Sequence, residues 1–266
     1  MKHSRRSAFT LIELSMVLAI VGLITGGVLL GKNMVRGAQI QSTIADVQNY
    51  FAAIRQYQTM YEYLPGDDPL AVRRWGRADN GSDLTVNCAA PITDHANIRA
   101  TCNGDGDGFV TMANSENYRI WQHLSLAGLI QGSYTGVSNG TGNTNYTQPG
   151  VNSPKFAIKN LGIFIFPWGI QDATSTSFYP GDYNNVLQIG GYTGDWPSAG
   201  IFSGTEVYNI DKKVDDGMPG LGNVREFLNE CATTSNANTA YYAKTAYKNS
   251  CKLIFLSEFQ KPIVKQ

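Results

Sequence analysis

The sequence predicts an α+β protein in which one long N-terminal helix, half suited to a membrane and half amphipathic, packs on a head with an antiparallel β-sheet. Three observations carry this reading. Residues 9 to 30, FTLIELSMVLAIVGLITGGVLL, hold 15 apolar side chains, three glycines, three hydroxyls and one carboxylate. Beyond them Ile40, Ile44, Val47, Phe51, Ile54 and Tyr57 recur at steps of three and four, the spacing of one buried helix face. No proline precedes Pro65, after which glycine, asparagine and short β-favouring runs take over.

Residues 1 to 8 carry Lys2, Arg5 and Arg6 and no acid. The 22 residues that follow span roughly 33 Å as a helix, the thickness of a bilayer core. A cleaved secretory signal has an apolar stretch of about 7–15 residues and a small-residue cleavage site, neither of which fits here. A single-span anchor with a cytoplasmic N-terminus does, because basic residues flank it on that side. Gly22, Gly26, Gly27 and Gly31 stand at small-xxx-small spacings that let helices approach closely. Residues 26 to 32 mimic a phosphate-binding loop, but Asn33 stands where a hydroxyl would hold magnesium, and the context is a membrane helix. Continued through the amphipathic half to the turn Leu64-Pro65-Gly66-Asp67, the rod is about 80 Å long.

Glu13 is the residue that asks for an explanation, since a carboxylate inside a membrane helix costs a few kcal/mol and normally has a partner. Its surroundings, Ser7-Ala8-Phe9-Thr10-Leu11-Ile12-Glu13-Leu14, resemble the processing site of the type IV pilin and type II secretion pseudopilin superfamily. The resemblance implies a leader of residues 1 to 8, removed by a prepilin peptidase/methyltransferase between Ala8 and Phe9, and N-methylation of Phe9. It implies that Glu13 serves assembly by pairing with the Phe9 α-amino group of a neighbouring subunit. That pairing is physically apt, because both charges then leave the lipid together. Where the family has Gly before the cut, this chain has Ala8. The resemblance further implies a pilin-like ladle, with residues 9 to 30 as transmembrane or filament-core helix, 31 to 64 as the amphipathic half of the spine, and 65 to 266 as a periplasmic head.

Four cysteines suit an extracytoplasmic head and permit three pairings; the sequence-local one, Cys88 with Cys102 and Cys231 with Cys251, closes loops of ordinary size. Residues 103 to 111, NGDGDGFVT, follow the first part of an EF-hand-type calcium loop. Asn103, Asp105 and Asp107 would offer side-chain oxygens, Phe109 its carbonyl, and Glu116 would replace the missing carboxylate at the twelfth position. Ser115 is expected to cap a helix that buries Tyr118, Trp121 and Leu124 and stops at Gly128. Residues 136 to 154 read as a surface loop, and residues 156 to 168 and 186 to 192 as antiparallel strands. Thr205 is expected to cap a short helix followed by Asp215-Asp216-Gly217, where carboxylates oppose the helix dipole and invite a cation. The phrase NIDKKVDDGMPGLGNV is similar to one in pilin-like heads, some of which hold calcium; Asp211, Asp215 and Asp216 form a second calcium candidate on that likeness.

No G-x-S-x-G, H-E-x-x-H or thiol/imidazole site occurs, and the pair Asp67-Asp68 reads as solvated or metal-bound rather than as an acid/base dyad. The function so implied is a non-enzymatic structural subunit of a type IV filament system, either pseudopilus or pilus. Its partners would be the peptidase, other pilin subunits, an assembly platform and a motor ATPase, with calcium as the expected ion. The alternative is a membrane-anchored extracytoplasmic calcium- or ligand-binding protein that does not polymerise. Charge argues against nucleic acid: 21 basic and 21 acidic residues cancel, and loss of the leader leaves 18 against 21.

Overall fold

The computed structural model describes residues 10–77, 100–112, 115–138, 147–192, 194, 196–227, 231–243 and 250–256. Helix α1 runs unbroken over Leu11–Tyr61, 51 residues or about 77 Å. Thr10 caps it, and Glu62, in the left-handed conformation, ends it. Short α2 (Ala71–Trp75) and α3 (Glu116–Leu126) follow, then the long hairpin of β1 (Leu161–Gln171) and β2 (Gly181–Gly191). Helix α4 (Gly204–Val214) and strands β3 (Val224–Arg225) and β4 (Leu253–Leu256) complete the described elements.

All pairings are antiparallel, in the order β1-β2-β4-β3, so β4 returns from the end of the chain to lie beside β2. Period-two alternation divides the sheet into two apolar faces. Ile163, Ile165, Leu187, Ile189, Leu253 and Phe255 share one cluster with Ile44, Val47, Ile54 and Tyr57 of α1. Phe178, Tyr183, Val186 and Ile254 make a second cluster, with Trp168 and Phe227 packed against it. Arg36 ties the head to the spine, its guanidinium reaching Glu206 of α4 at 2.7 Å and the Ile201 carbonyl at 2.9 Å.

The expected α+β layout is present, with shifted boundaries. Residues 156–160 lie outside the strand because Asn160 turns to φ 61°, and the hairpin instead extends past Trp168 and begins its return at Gly181. The cap of α4 is Ser203, not Thr205: its hydroxyl accepts from the Glu206 amide while the Glu206 carboxylate accepts from the Ser203 amide. Ser115 does precede α3, but at φ 58° and with no side-chain cap bond. The stretch read as a surface loop is partly buried where it is described: Val137, Thr147 and Asn152 are buried, while Gly150 and Val151 are exposed.

Cys231 and Cys251 form a disulfide with Cα atoms 5.6 Å apart. Cys102 is also disulfide-bonded. Cys88 lies outside the described residues.

Candidate functional site

The first place where chemistry concentrates is the start of α1. From Leu11 to Val35 every large apolar side chain is at least 49% exposed, a surface that water alone does not tolerate over such a length. At its tip the Glu13 carboxylate accepts from the Thr10 amide and hydroxyl, both at 2.8 Å, a reciprocal cap that satisfies the carboxylate within its own chain. Ala8 and Phe9 lie outside the described residues.

The second is the junction of the spine's end with the NGDGDG loop. The loop side chains expected to surround an ion each accept a backbone amide of the protein. Asn103 Oδ1 accepts the Val72 amide at 2.8 Å, Asp105 Oδ1 the Asp107 amide at 3.2 Å, and Asp107 Oδ1 the Phe109 amide at 2.7 Å. What the loop encloses is the buried carboxylate of Asp67, which takes amides of Gly106 at 2.6 Å, Asp107 at 3.2 Å and Gly108 at 2.8 Å. Glu116 binds the same loop, accepting from Asp105 at 3.2 Å and from the Thr111 amide and hydroxyl at 3.0 and 2.9 Å. Carboxylate oxygens of Asp67, Asp105 and Glu116 thus come within 4.8 Å of one another.

Burial pushes Asp67 up to about 8, against the Gly108 and Gly106 amides that lower it and with Glu116 adding to the rise. Burial likewise pushes Glu116 up to about 7. The neighbouring Asp68 is equally buried, held by Arg74, the Tyr57 hydroxyl at 2.7 Å and the Leu70 amide at 2.8 Å. Asp67 and Asp68, expected from sequence to be solvated or metal-bound, are thus not solvated: both are fully buried. His123 is fully buried too; its Nδ1 accepts the Gly66 amide at 2.9 Å, and burial lowers it to about 3, so it is a neutral structural imidazole.

Sequence reasoning missed Asp67 as the centre of this junction. The signal was there: alternating Gly and Asp leaves successive loop amides without helix or strand partners, a concavity that calls for a hydrogen-bond acceptor. Gly104 is required for the approach, because a Cβ there would collide with the backbone of Asp67.

The third place is the acidic corner after α4. Oxygens of Asp211, Asp215 and Asp216 lie within 4.8 Å of one another. Asp215 Oδ2 accepts the Asn223 amide and, at 3.1 Å, that of Val224; Asp216 Oδ1 accepts the Met218 amide at 2.7 Å. Asp211 is fully buried, with Oδ2 bound to the Tyr242 hydroxyl at 2.9 Å and Oδ1 left without a hydrogen bond. Burial pushes it up to about 7, with Asp216 and Asp215 adding to the rise and the Tyr242 hydroxyl and Gly217 amide opposing it. A buried carboxylate oxygen with no donor, facing two further carboxylates, is a donor set that fits a hard cation.

A family model described as "Prokaryotic N-terminal methylation motif" matches residues 3–29. The chain carries the type IV pilin and pseudopilin signature. No curated protein and no solved structure matches it. The pilin signature covers Arg5 and Arg6, Glu13 and most of the exposed apolar half of α1, and it identifies a precursor of the kind that prepilin peptidase processes. Its family is structural rather than enzymatic and assembles with other pilin subunits in the membrane. The one described helix long and apolar enough to cross a membrane is the same α1.

Proposed function

We propose that this pilin-like chain is a structural subunit of a type IV filament system, of the minor-pilin or pseudopilin kind, inserted with its head in the periplasm and assembled through α1. The observation that supports this reading is the exposed apolar half of α1 emerging from a folded head. Residues 11 to 35 have lipid as one possible cover and the helices of sister subunits as the other, and an assembling subunit passes from the first to the second. Glu13, bonded to its own Thr10 in the single chain, exchanges that cap for the α-amino group of a neighbour's Phe9 on assembly. The exchange sets the axial offset between adjacent helices and removes both charges from the apolar interior.

Calcium belongs to the same proposal, held by Asp211, Asp215 and Asp216 at the corner after α4. It would supply charge neutralisation where Asp211 Oδ1 is buried without a donor, locking the end of α4 to the segment that leads into β3.

Mass spectrometry of the mature N-terminus tests the filament reading. A chain beginning at N-methylated Phe9 is expected; an intact Met1 start, or a cut beyond residue 30, refutes it. Glu13→Ala is expected to insert normally and to be absent from filaments, and its normal incorporation would overturn the pairing.

A further inference from the structure

Where the second half of α1 meets the segment after α3, the head and spine enclose a cleft of about 600 Å³. Its floor is α1, presented through Asp46, Asn49, Tyr50 and Gln56, with the small Ala52 and Ala53 leaving the space open. Its far wall carries Gln131, Tyr134 and Lys155. That wall is pinned rather than loose: the Leu129 amide donates to the Leu124 carbonyl at 2.9 Å, the Ser125 hydroxyl to the Gly132 carbonyl at 2.5 Å, and the Tyr134 hydroxyl to the Gln131 carbonyl at 3.1 Å. The opposite wall is rigid because it is helix. The cleft is therefore formed before anything enters it, at a volume within the range of small-molecule sites.

Its chemistry is unusual for a surface depression beside a core. Tyr50 has its ring edge-on against Trp121 at 5.3 Å and Phe156 at 6.2 Å, which holds the hydroxyl in one place. Among the described residues, the side chains of Asp46, Asn49, Tyr50, Gln56 and Lys155 make no hydrogen bond or ion pair. Asp46 does so although it is half-buried. A single carboxylate and a single ammonium balance, so the cleft selects neither anion nor cation by charge. What it presents is a set of planar, bidentate polar groups, a carboxylate and carboxamides, with a hydroxyl and an ammonium beside them, those of α1 set in a row of about 15 Å from Asp46 to Gln56. Such groups match vicinal hydroxyls, each giving and accepting a hydrogen bond.

The geometry points to a saccharide-binding site in this cleft, taking one or two neutral sugar units, with Asp46, Asn49, Gln56 and Gln131 as the hydroxyl-binding groups and Tyr50 and Lys155 as donors. Tyr50 fits the donor role because burial, with Tyr134 and Asp46 nearby, holds its hydroxyl protonated far above its ordinary range. A neutral polyol with no fixed charge is the ligand class that uses this set without leaving Asp46 or Lys155 facing a like charge. The inference stands apart from the filament reading, since the cleft is complete within a single chain.

The test uses the full processed chain extracted in a detergent without a sugar headgroup, applied to an array of neutral and charged oligosaccharides. Hits are followed by calorimetric titration with the best-bound sugar. Binding to a neutral oligosaccharide is expected, weakened about tenfold or more by Asp46→Asn and by Gln56→Ala and abolished by Ala52→Trp, which fills the cleft from an exposed position. Unchanged melting temperatures would show that these variants remain folded. An array without signal, or with signal confined to charged glycans, overturns the proposal. So does a signal that survives Ala52→Trp. If Ala52→Trp binds sugar normally yet fails to assemble, the cleft belongs to subunit packing instead.

Discussion

Asp67→Asn separates the two roles that the structure gives this carboxylate, acceptor for the loop amides and buried ionisable group. The asparagine carbonyl can keep the Gly106 and Asp107 amides, but its NH₂ then faces the Gly108 amide, which sits 2.8 Å from Asp67 Oδ2. One buried donor loses its acceptor, a loss of about 1–3 kcal/mol. For a chain of this size that lowers Tm by roughly 2–12 °C. The deficit must depend on pH. Asp67 titrates near 3.8 when unfolded and is pushed up to about 8 in the fold, so the stability linked to its neutral form is present below pH 3.8 and is lost as pH rises through about 8. The native chain therefore weakens over that window while asparagine, which does not titrate, does not share the loss. Asp211, raised to about 7 by burial, slopes the same way in both proteins and cancels in the difference; Glu116, also raised to about 7, interacts with the Asp67 charge, so part of its own slope goes with Asp67 and adds to the pH dependence of the gap. Thermal unfolding of the processed chain in micelles, followed by near-ultraviolet circular dichroism at pH 5, 6, 7 and 8, should show the gap between native and variant closing with rising pH. A gap that stays constant from pH 5 to 8 refutes the buried-carboxylate reasoning.

Three further outcomes follow from the same contacts. Cys231→Ser with Cys251→Ser, which opens a loop with a sequence separation of 20, should lower unfolding stability by about 3 kcal/mol in the chain-entropy view; denaturant titration beside oxidised native protein checks it, and identical midpoints count against a stabilising bond. Gly104→Ala, forced against the Asp67 backbone, should destabilise by more than about 2 kcal/mol, read as loss of periplasmic accumulation, whereas unaltered accumulation would show that the loop relaxes freely. Chelation with EGTA should lower Tm of the native protein but not of Asp211→Asn, and equal shifts in both would remove calcium from the α4 corner.

Much of the spine was legible because its determinants are local. A 22-residue stretch with 15 apolar side chains and one charge fixes a membrane-length helix whatever follows, and the recurrence of Ile44, Val47, Ile54 and Tyr57 marks the face that meets the sheet. The motif around Glu13 is likewise contiguous, which is why a 27-residue family match and a direct reading of the residues agree. The head was legible only in kind. Alternation in IFIFPW and VLQIG announces strands, yet the length of the hairpin depends on which residues face β2 and on the turn at Asn160, so its boundaries moved by several residues. The Ser203–Glu206 cap was readable as S-x-x-E and was passed over for a threonine two residues later.

The junction at Asp67 shows where sequence stops. Asp105, Asp107 and Glu116 stand at spacings that suit a metal loop, and nothing in that spacing tells a cation from an anion as the guest. An aspartate 39 residues before Gly106 arrives from the end of the spine to take the loop's amides, and it brings a third carboxylate beside those of Asp105 and Glu116. The sequence by itself determined a membrane-competent spine, its processing signature and a disulfide-bearing head, because these rest on composition and short-range period. Which carboxylates are buried, which of them face one another, and the cleft between spine and head were decided only by tertiary structure, because desolvation and long-range contact depend on what folds against each group.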